Sequence, residues 1–378
     1  MPVYDICFSA DDNYSEQLAV AITSIIKNSS NDEIFNFYIL DGDISEYNLS
    51  RLNDLKRFKD FNIKFIKMNY GDFETCPMLK DKDESYCDYH VTKPTYFRFK
   101  IPSLFPDLDK ILYLDPDIIV SDSLKELYNT TLNDFYCGMI LDVDYKKEAE
   151  RLNLKDYFNA GVMLINLKKW REDNIEQKLF DFVKNKSEIL LWQDQDVFNL
   201  VFENKTLKLS EKWNYQIPKE DFDNDKKLFE KLKNVVILHF AGRFKPWLNF
   251  CGSAVFEIYY NYLLQINWLD NLYKYKQEFF LHNLKKELGD DLVIEKVEKI
   301  YKYIEYKHND ILNILDIKFS NSDKVYFTEQ SKIYEYINLK HQEALNTCNQ
   351  QIDEFKKKLY CQEDLIKKLE ERLNNIEK

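Results

Sequence analysis

Glycine is scarce in this chain, with 7 in 378 residues. A sugar-nucleotide nucleotidyltransferase would carry a glycine-rich, basic triphosphate loop near its start, because backbone amides and cations cradle phosphate. The first turn here reads SADDNYSEQ (residues 9–17), with no glycine and no basic residue. That class is disfavoured. The cysteines (Cys7, Cys76, Cys87, Cys137, Cys251, Cys348, Cys361) are odd in number and scattered, with no C-x-x-C pair. Neither a disulfide framework nor a zinc ribbon is indicated. Basic excess is also missing: the formal net charge is -12, which argues against non-specific nucleic-acid binding but leaves room for a local basic pocket. No apolar run reaches the ~18 residues of a membrane span, and Met1 to Phe8 has no basic start and is too short for a signal peptide. The expectation is a reducing, cytoplasmic protein, with peripheral contact at the inner face of a membrane as its one tie to lipid.

What is present suits a large α/β protein. Hydrophobic residues make up 45% and charged residues 31%, enough for a sizeable core and a polar surface. VYDICFS reads as a first buried strand, and FNFYIL, IKFIKM, KILYLD, YCGMIL, AGVMLINL and NVVILHF read as further strands. Between the first two, Leu18, Ala21, Ile22, Ile25 and Ile26 recur at helical spacing. A polar amphipathic helix is expected from about Glu46 to Phe58, and another near Thr95 to Ile101. Strands alternating with helices imply a mostly parallel sheet.

The stretch ILYLDPDIIV (residues 111–120) breaks a buried strand with Asp115 and Asp117, two carboxylates that repel one another and resist burial. Asp-Pro is ordinary turn chemistry, and eight D-x-D patterns occur in this acidic chain, so the pair has meaning only in context. The context is that ligands gather beyond the carboxyl ends of strands. Ser9, Asp11 and Asn13 follow the first strand, Asp115 and Asp117 the fourth, Asp142 the YCGMIL strand, and His239 ends VVILHF. Two carboxylates and an imidazole favour Mn²⁺ over Ca²⁺ or Mg²⁺. A lone histidine at a strand end is more often core or surface than ligand. Gly242 and Lys245 could let backbone and a cation approach a phosphate, or form an ordinary turn.

Six ordered blocks, ICFSADDNY, TYFRFKIPSL, ILYLDPDIIV, FNAGVMLINLKKW, WQDQDVFN and HFAGRFKPW, resemble the retaining glycosyltransferases of family 8, which include bacterial lipopolysaccharide α-galactosyltransferases and glycogenin. The resemblance covers about residues 1–250. It implies a GT-A nucleotide-diphospho-sugar fold and a UDP-hexose donor, galactose or glucose, with Mn²⁺ (Mg²⁺ second) held by Asp115, Asp117 and His239. It implies uridine contacts from Ser9, Asp11, Asn13 and Tyr14, and diphosphate contacts from Gly242 and Lys245. Arg98, Asp142 and Asn159 would surround the donor sugar. Asp194 would position it, Gln195 would lie beneath its C1, and His90 would line the acceptor side. Core packing for Tyr14 and a surface salt bridge for Arg98 are the plainer alternatives. The implied acceptor is a lipooligosaccharide, lipid-linked or protein-linked glycan.

Beyond the catalytic stretch (1–251) a helical extension (252–340) is expected, then a coiled-coil tail (341–378). In the tail Leu345, Cys348, Ile352, Phe355, Leu359, Gln362, Ile366, Leu369, Leu373 and Ile376 keep a 3-4 spacing, which points to a homo-oligomer. A single amphipathic helix packed on its own domain would give the same pattern. INWLDNLYKYKQEFFLHNLKK (266–286) has the aromatics and lysines for peripheral membrane contact, or for a helix docked on the catalytic domain. A non-catalytic coiled-coil scaffold with a vestigial sugar-nucleotide site is the rival from another class.

Overall fold

The computed structural model describes residues 2–77, 92–218, 225–242, 245–247, 255–266 and 268. All of them lie in the first of two compact units, Met1–His282. His90, the coiled-coil tail and most of the expected helical extension lie outside the described residues.

Ten strands are described: β1 Val3–Asp11, β2 Ile34–Gly42, β3 Asn62–Lys67, β4 Lys110–Leu114, β5 Ile118–Val120, β6 Cys137–Leu141, β7 Phe158–Asn166, β8 Thr206–Lys208, β9 Tyr215–Gln216 and β10 Ile237–His239. Among them run α1 Ser15–Lys27, α2 Glu46–Asn53, α3 Ile101–Leu104, α4 Lys125–Tyr128, α5 Tyr145–Leu152, α6 Leu167–Glu172, α7 Ile175–Lys186, α8 Gln193–Val201, α9 Asp225–Leu232 and α10 Val255–Ile266. The seven apolar runs read as strands all form strands. The segment expected as a helix near Thr95 is a 3-10 helix, Lys93–Lys100. The helix expected from Glu46 divides into α2 and a 3-10 turn, Asp54–Arg57.

The main sheet has the order β3-β2-β1-β4-β7-β6-β8. β1 pairs in parallel with both β2 and β4. The chain therefore leaves β1 toward one edge of the sheet and returns through β4 on the other side. This reversal opens a crevice at the carboxyl ends of β1 and β4, where α/β sheets bind ligands. One strand departs from the expected direction: β7 runs antiparallel to both β4 and β6. Its amino end, Phe158 to Gly161, consequently meets the crevice. A second, small sheet has the order β5-β10-β9, with β10 antiparallel to β5. Asp115-Pro116-Asp117 is the link between the two sheets.

Side chains alternate across the main sheet, as the period of two requires. Ile6, Phe8, Leu112, Leu114, Val162 and Leu164 enter one buried cluster; Cys7, Ile111, Tyr113, Met163 and Ile165 enter the other. Both faces are covered, which is why the strands read as continuous apolar runs rather than alternating ones. Helix α1 is buried from Ser15 to Ile26, against β1, β5 and α10, so its amphipathic pattern is weaker than that of a surface helix. Tyr259 of α10 donates to Glu16 of α1 at 3.0 Å.

Candidate active site

The link between the sheets forms the floor of the crevice. Leu114 ends β4, and the Asp115 amide donates to the Gly161 carbonyl at 2.8 Å. Asp117 immediately precedes β5, whose partner strand β10 ends in His239. Oxygens of Asp115 and Asp117 and a ring nitrogen of His239 thus converge, all within 4.8 Å of one another. Asp117 and His239 are buried; Asp115 keeps 23% of its side chain exposed, so the cluster opens on that side.

A chain of hydrogen bonds sets the direction of the imidazole. The Gly161 amide donates to Asn159 Oδ1 at 2.9 Å, which fixes which end of that amide is oxygen. Asn214 Nδ2 donates to the same oxygen at 2.9 Å. Asn214 Oδ1 then faces His239 Nδ1 at 2.8 Å. A carbonyl oxygen can only accept, so Nδ1 carries a proton, and in the neutral ring Nε2 presents its lone pair toward the carboxylates. Nε2 lies 3.2 Å from Asp117 Oδ1 and 4.0 Å from Asp115 Oδ2. Asp117 Oδ1 is buried and accepts no hydrogen bond among the described residues. A buried acceptor facing another acceptor is costly, and a cation shared between them removes that cost. The donor set therefore fits a divalent metal that takes oxygen and imidazole ligands.

The other Asp117 oxygen, Oδ2, is taken by the buried ammonium of Lys245, which also donates to the Phe240 carbonyl at 2.6 Å. Burial pushes the Asp117 carboxyl up, but the opposing influences, led by the Lys245 ammonium, more than offset it and hold the group below the usual carboxylate range. Burial likewise disfavours the Lys245 charge, and Asp117 reverses this, leaving the ammonium more basic than usual. Gly242 turns the chain between His239 and Lys245 with φ of 74°, a conformation open to glycine at little cost. Trp247 packs edge-on to Tyr14, ring centroids 6.2 Å apart, and Tyr14 also packs against the core. Tyr14 is thus both wall and core.

At the carboxyl end of β1, Asp11 Oδ1 accepts the Tyr14 amide at 3.2 Å and caps a 3-10 turn. Thr92 donates to Asp11 Oδ2 at 3.2 Å. Asn13 is exposed. The Ser9 hydroxyl donates to the Pro94 carbonyl at 2.6 Å, tying β1 to the 3-10 helix that carries Arg98.

Arg98 is 5% exposed, so the surface salt bridge that sequence allowed does not form. Its Nη2 donates to Asp115 Oδ1 at 2.9 Å and Nη1 to the Ala160 carbonyl at 2.6 Å. Its Nε lies 3.1 Å from Asp194 Oδ2, yet the Nε–H points to the Thr95 carbonyl at 3.0 Å. The contact with Asp194 is electrostatic, which explains why Oδ2 accepts no hydrogen bond although a cation is near. Asp194 Oδ1 accepts from Thr95 at 2.5 Å. Burial is the largest influence on the Asp194 carboxyl and pushes it up to about 6, against the lowering by Arg98 and Thr95.

Asp142 and Gln195 complete the crevice. Asp142 Oδ2 accepts from Asn159 and from Gln195 Nε2, each at 3.1 Å. Gln195 Oε1 accepts the Ala160 amide at 3.0 Å. Burial raises the Asp142 carboxyl despite these bonds. The structure thus brings together Asp115, Asp117, His239, Lys245, Arg98, Asp142, Asn159, Asp194 and Gln195. Sequence reasoning missed Asn214, Thr95 and Tyr113, whose hydroxyl donates to Asp115 at 3.0 Å. No periodic signal marks any of the three.

Residues 5–251 match the profile of glycosyl transferase family 8. The chain belongs to that family. It is 30% identical over 302 residues to a putative glycosyltransferase of Haemophilus influenzae, covering 76% of this chain and 88% of that protein. It is also 30% identical over 273 residues to a lipopolysaccharide 1,2-glucosyltransferase of Escherichia coli, covering 68% of this chain and 78% of that protein. Among solved structures, the galactosyltransferase LgtC in complex with donor and acceptor sugar analogues superposes with a TM-score of 0.60 at 30% identity, covering 71% of this chain and 99% of LgtC. The sheet is that of a GT-A glycosyltransferase, and the protein is a glycosyltransferase.

Proposed function

We propose that this glycosyltransferase is a retaining hexosyltransferase that moves galactose or glucose from a UDP-sugar to a glycan acceptor (lipooligosaccharide, lipid-linked or protein-linked). A divalent ion, Mn²⁺ ahead of Mg²⁺, would be held by Asp115, Asp117 and His239. The observation that carries this reading is the buried, unpartnered Asp117 Oδ1 facing the His239 Nε2 lone pair in the crevice of a GT-A sheet. The bound ion would neutralise the charge that builds on the diphosphate as the sugar C1–oxygen bond breaks.

The protein's own groups supply the remainder. Lys245 is positioned beside the metal ligands to add a second positive charge against the leaving diphosphate. Asp11, Asn13, Ser9, Tyr14 and Gly242 form the nucleotide side. Asp142 and Asn159 offer acceptors and a donor to the sugar hydroxyls, and Arg98 holds the floor between Asp115 and Asp194. Asp194 Oδ2 is buried, accepts no hydrogen bond among the described residues and is anionic above its raised pKa, which suits the carboxylate to orient the sugar and steady an oxocarbenium-like ring. Gln195 presents its amide beside it, with Oε1 already accepting one backbone bond, which favours positioning over attack.

The proposal extends outside the described residues to His90 on the acceptor side and a coiled-coil tail (341–378) that makes the protein a homo-oligomer. The division into 1–251, 252–340 and 341–378, and a cytoplasmic location with peripheral membrane contact through 266–286, belong to the same reading. Among the described residues no helix is long and apolar enough to cross a membrane.

The test is binding and slow hydrolysis of a UDP-hexose panel with and without Mn²⁺, using wild type and Asp117→Ala. A metal-dependent preference for one donor, lost in the variant, supports the reading, and the anomeric configuration of the product tests retention. No metal-dependent binding of any UDP-sugar under any condition would return the protein to the scaffold alternative.

A further inference from the structure

Asn214 is a buried polar residue that touches the proposed metal ligand His239 and has been assigned no part in the site. It closes the 3-10 turn Glu211–Trp213 and is 1% exposed. Both ends of its amide are committed: Nδ2 to Asn159 Oδ1 at 2.9 Å and Oδ1 to His239 Nδ1 at 2.8 Å. Asn159 is in turn bound to the Gly161 amide at 2.9 Å and to Asp142 at 3.1 Å. An unbroken line of hydrogen bonds thus runs from the backbone of β7 and from Asp142 to the far side of the imidazole.

We propose that Asn214 is the positioning residue of the metal centre: it holds His239 as the Nδ1–H tautomer with Nε2 toward Asp115 and Asp117, and links that ligand to the donor-sugar side through Asn159. The inference rests on the metal reading of the crevice. Its physical basis is that a ligating histidine donates its other ring N–H to a fixed acceptor, which sets both tautomer and ring plane. Usually that acceptor is a carboxylate or a backbone carbonyl; here it is a side-chain amide. A carboxylate in its place would bring a third acidic group beside Asp115 and Asp117, whereas the amide orients the ring without adding charge. The direction of the amide is not free to reverse, because the Gly161 N–H can only donate, and this sets Asn159 and through it Asn214.

Asn214→Leu keeps the branched shape and removes both donor and acceptor; Asn214→Asp keeps the acceptor and removes the donor. Divalent binding is read directly by titration calorimetry and by the loss of the free Mn²⁺ electron paramagnetic resonance signal. Asn214→Leu should bind Mn²⁺ about 10–100-fold more weakly, while Asn214→Asp should recover most of the wild-type affinity. Long-range ¹⁵N NMR of the metal-free protein supplies a second readout, feasible with 5 histidines. With pH raised until the spectrum stops changing, His239 should be the Nδ1–H tautomer in wild type and in Asn214→Asp. In Asn214→Leu it should be a mixture or the Nε2–H form. Equal Mn²⁺ affinity in wild type and Asn214→Leu, or an Nε2–H tautomer in the wild type, overturns the positioning role while leaving the metal reading standing. No Mn²⁺ binding by the wild type overturns both.

Discussion

Gly161 lies directly behind Asp115. Its carbonyl accepts the Asp115 amide at 2.8 Å, and a Cβ at this position would stand 2.9 Å from Asp115 Oδ2 and 2.3 Å from His239 Cε1. A ring atom 2.3 Å away must move, and the imidazole is held from behind by Asn214. Gly161→Ala should therefore cost about 1–3 kcal/mol as an overpacked site and weaken Mn²⁺ binding at least about tenfold. Calorimetric titration beside a urea melt checks both. An alanine variant with unchanged metal affinity would show that the close approach has no bearing on the site.

Asp194 carries the pH dependence. Burial raises its carboxyl to about 6 in spite of Arg98 and Thr95, so the folded protein keeps a proton there to a higher pH than an ordinary aspartate, near about 4. In the proposed function the anionic form is the one that would steady a positive sugar ring, and its fraction falls as pH drops through about 6. The kcat/KM profile should show an acid limb there. Asp194→Asn should lose the limb and lower turnover by about a hundredfold or more, with UDP affinity within about threefold. Comparable losses in both constants would remove Asp194 from the chemistry.

The central strands of the main sheet were legible because a sheet covered on both faces demands continuous apolar runs, and VYDICFS or AGVMLINL can be little else; β10, only three residues long, was legible because it lies inside the apolar run NVVILHF. Strands β5, β8 and β9 were not, since two or three residues carry no periodicity. The pattern also could not show the reversed direction of β7, which alone brings Asn159, Ala160 and Gly161 to the carboxyl ends of β1 and β4. Asp115 and Asp117 stood out by their placement in an apolar run. Asn214 did not, because a single amide in WNYQ says nothing until the fold puts His239 beside it. Arg98 was legible as a residue but not as a buried one: its charge is tolerated only through Asp115 and Asp194, which are distant in sequence.

Two aspartates of WQDQD (residues 192–196) do opposite work from one helix. Asp194 keeps a buried oxygen that accepts no hydrogen bond among the described residues and meets the Arg98 charge, whereas Asp196 is 0% exposed and accepts from the Tyr157 hydroxyl, Arg151, and the amides of Leu191 and Trp192. Hydrogen bonds to a charged acceptor contribute about 1.5–3 kcal/mol each, and orphaned buried donors add to the loss. Asp196→Ala should destabilise the fold by about 3 kcal/mol or more. Asp194→Asn, which removes a charge that burial disfavours, should cost less. Urea unfolding of both variants decides the matter, and equal losses would contradict this division of labour.

Lys245 and Asp117 form a buried pair whose charges compensate one another. Removing one member of such a pair typically costs about 3–5 kcal/mol, because the other is left charged in a poor solvent. In Lys245→Met the Asp117 carboxylate would lose its ammonium partner. The metal-free variant should melt several degrees below wild type. A divalent ion held by Asp115, Asp117 and His239 replaces the missing charge, and it binds the native state alone, so it stabilises more the tighter it binds. Mn²⁺ should accordingly raise the melting temperature of Lys245→Met by more than it raises that of wild type, as scanning calorimetry at a fixed Mn²⁺ concentration would record. If the two shifts are equal, the ammonium and the metal ligands are uncoupled, and Lys245 serves the diphosphate without sensing the cation beside it.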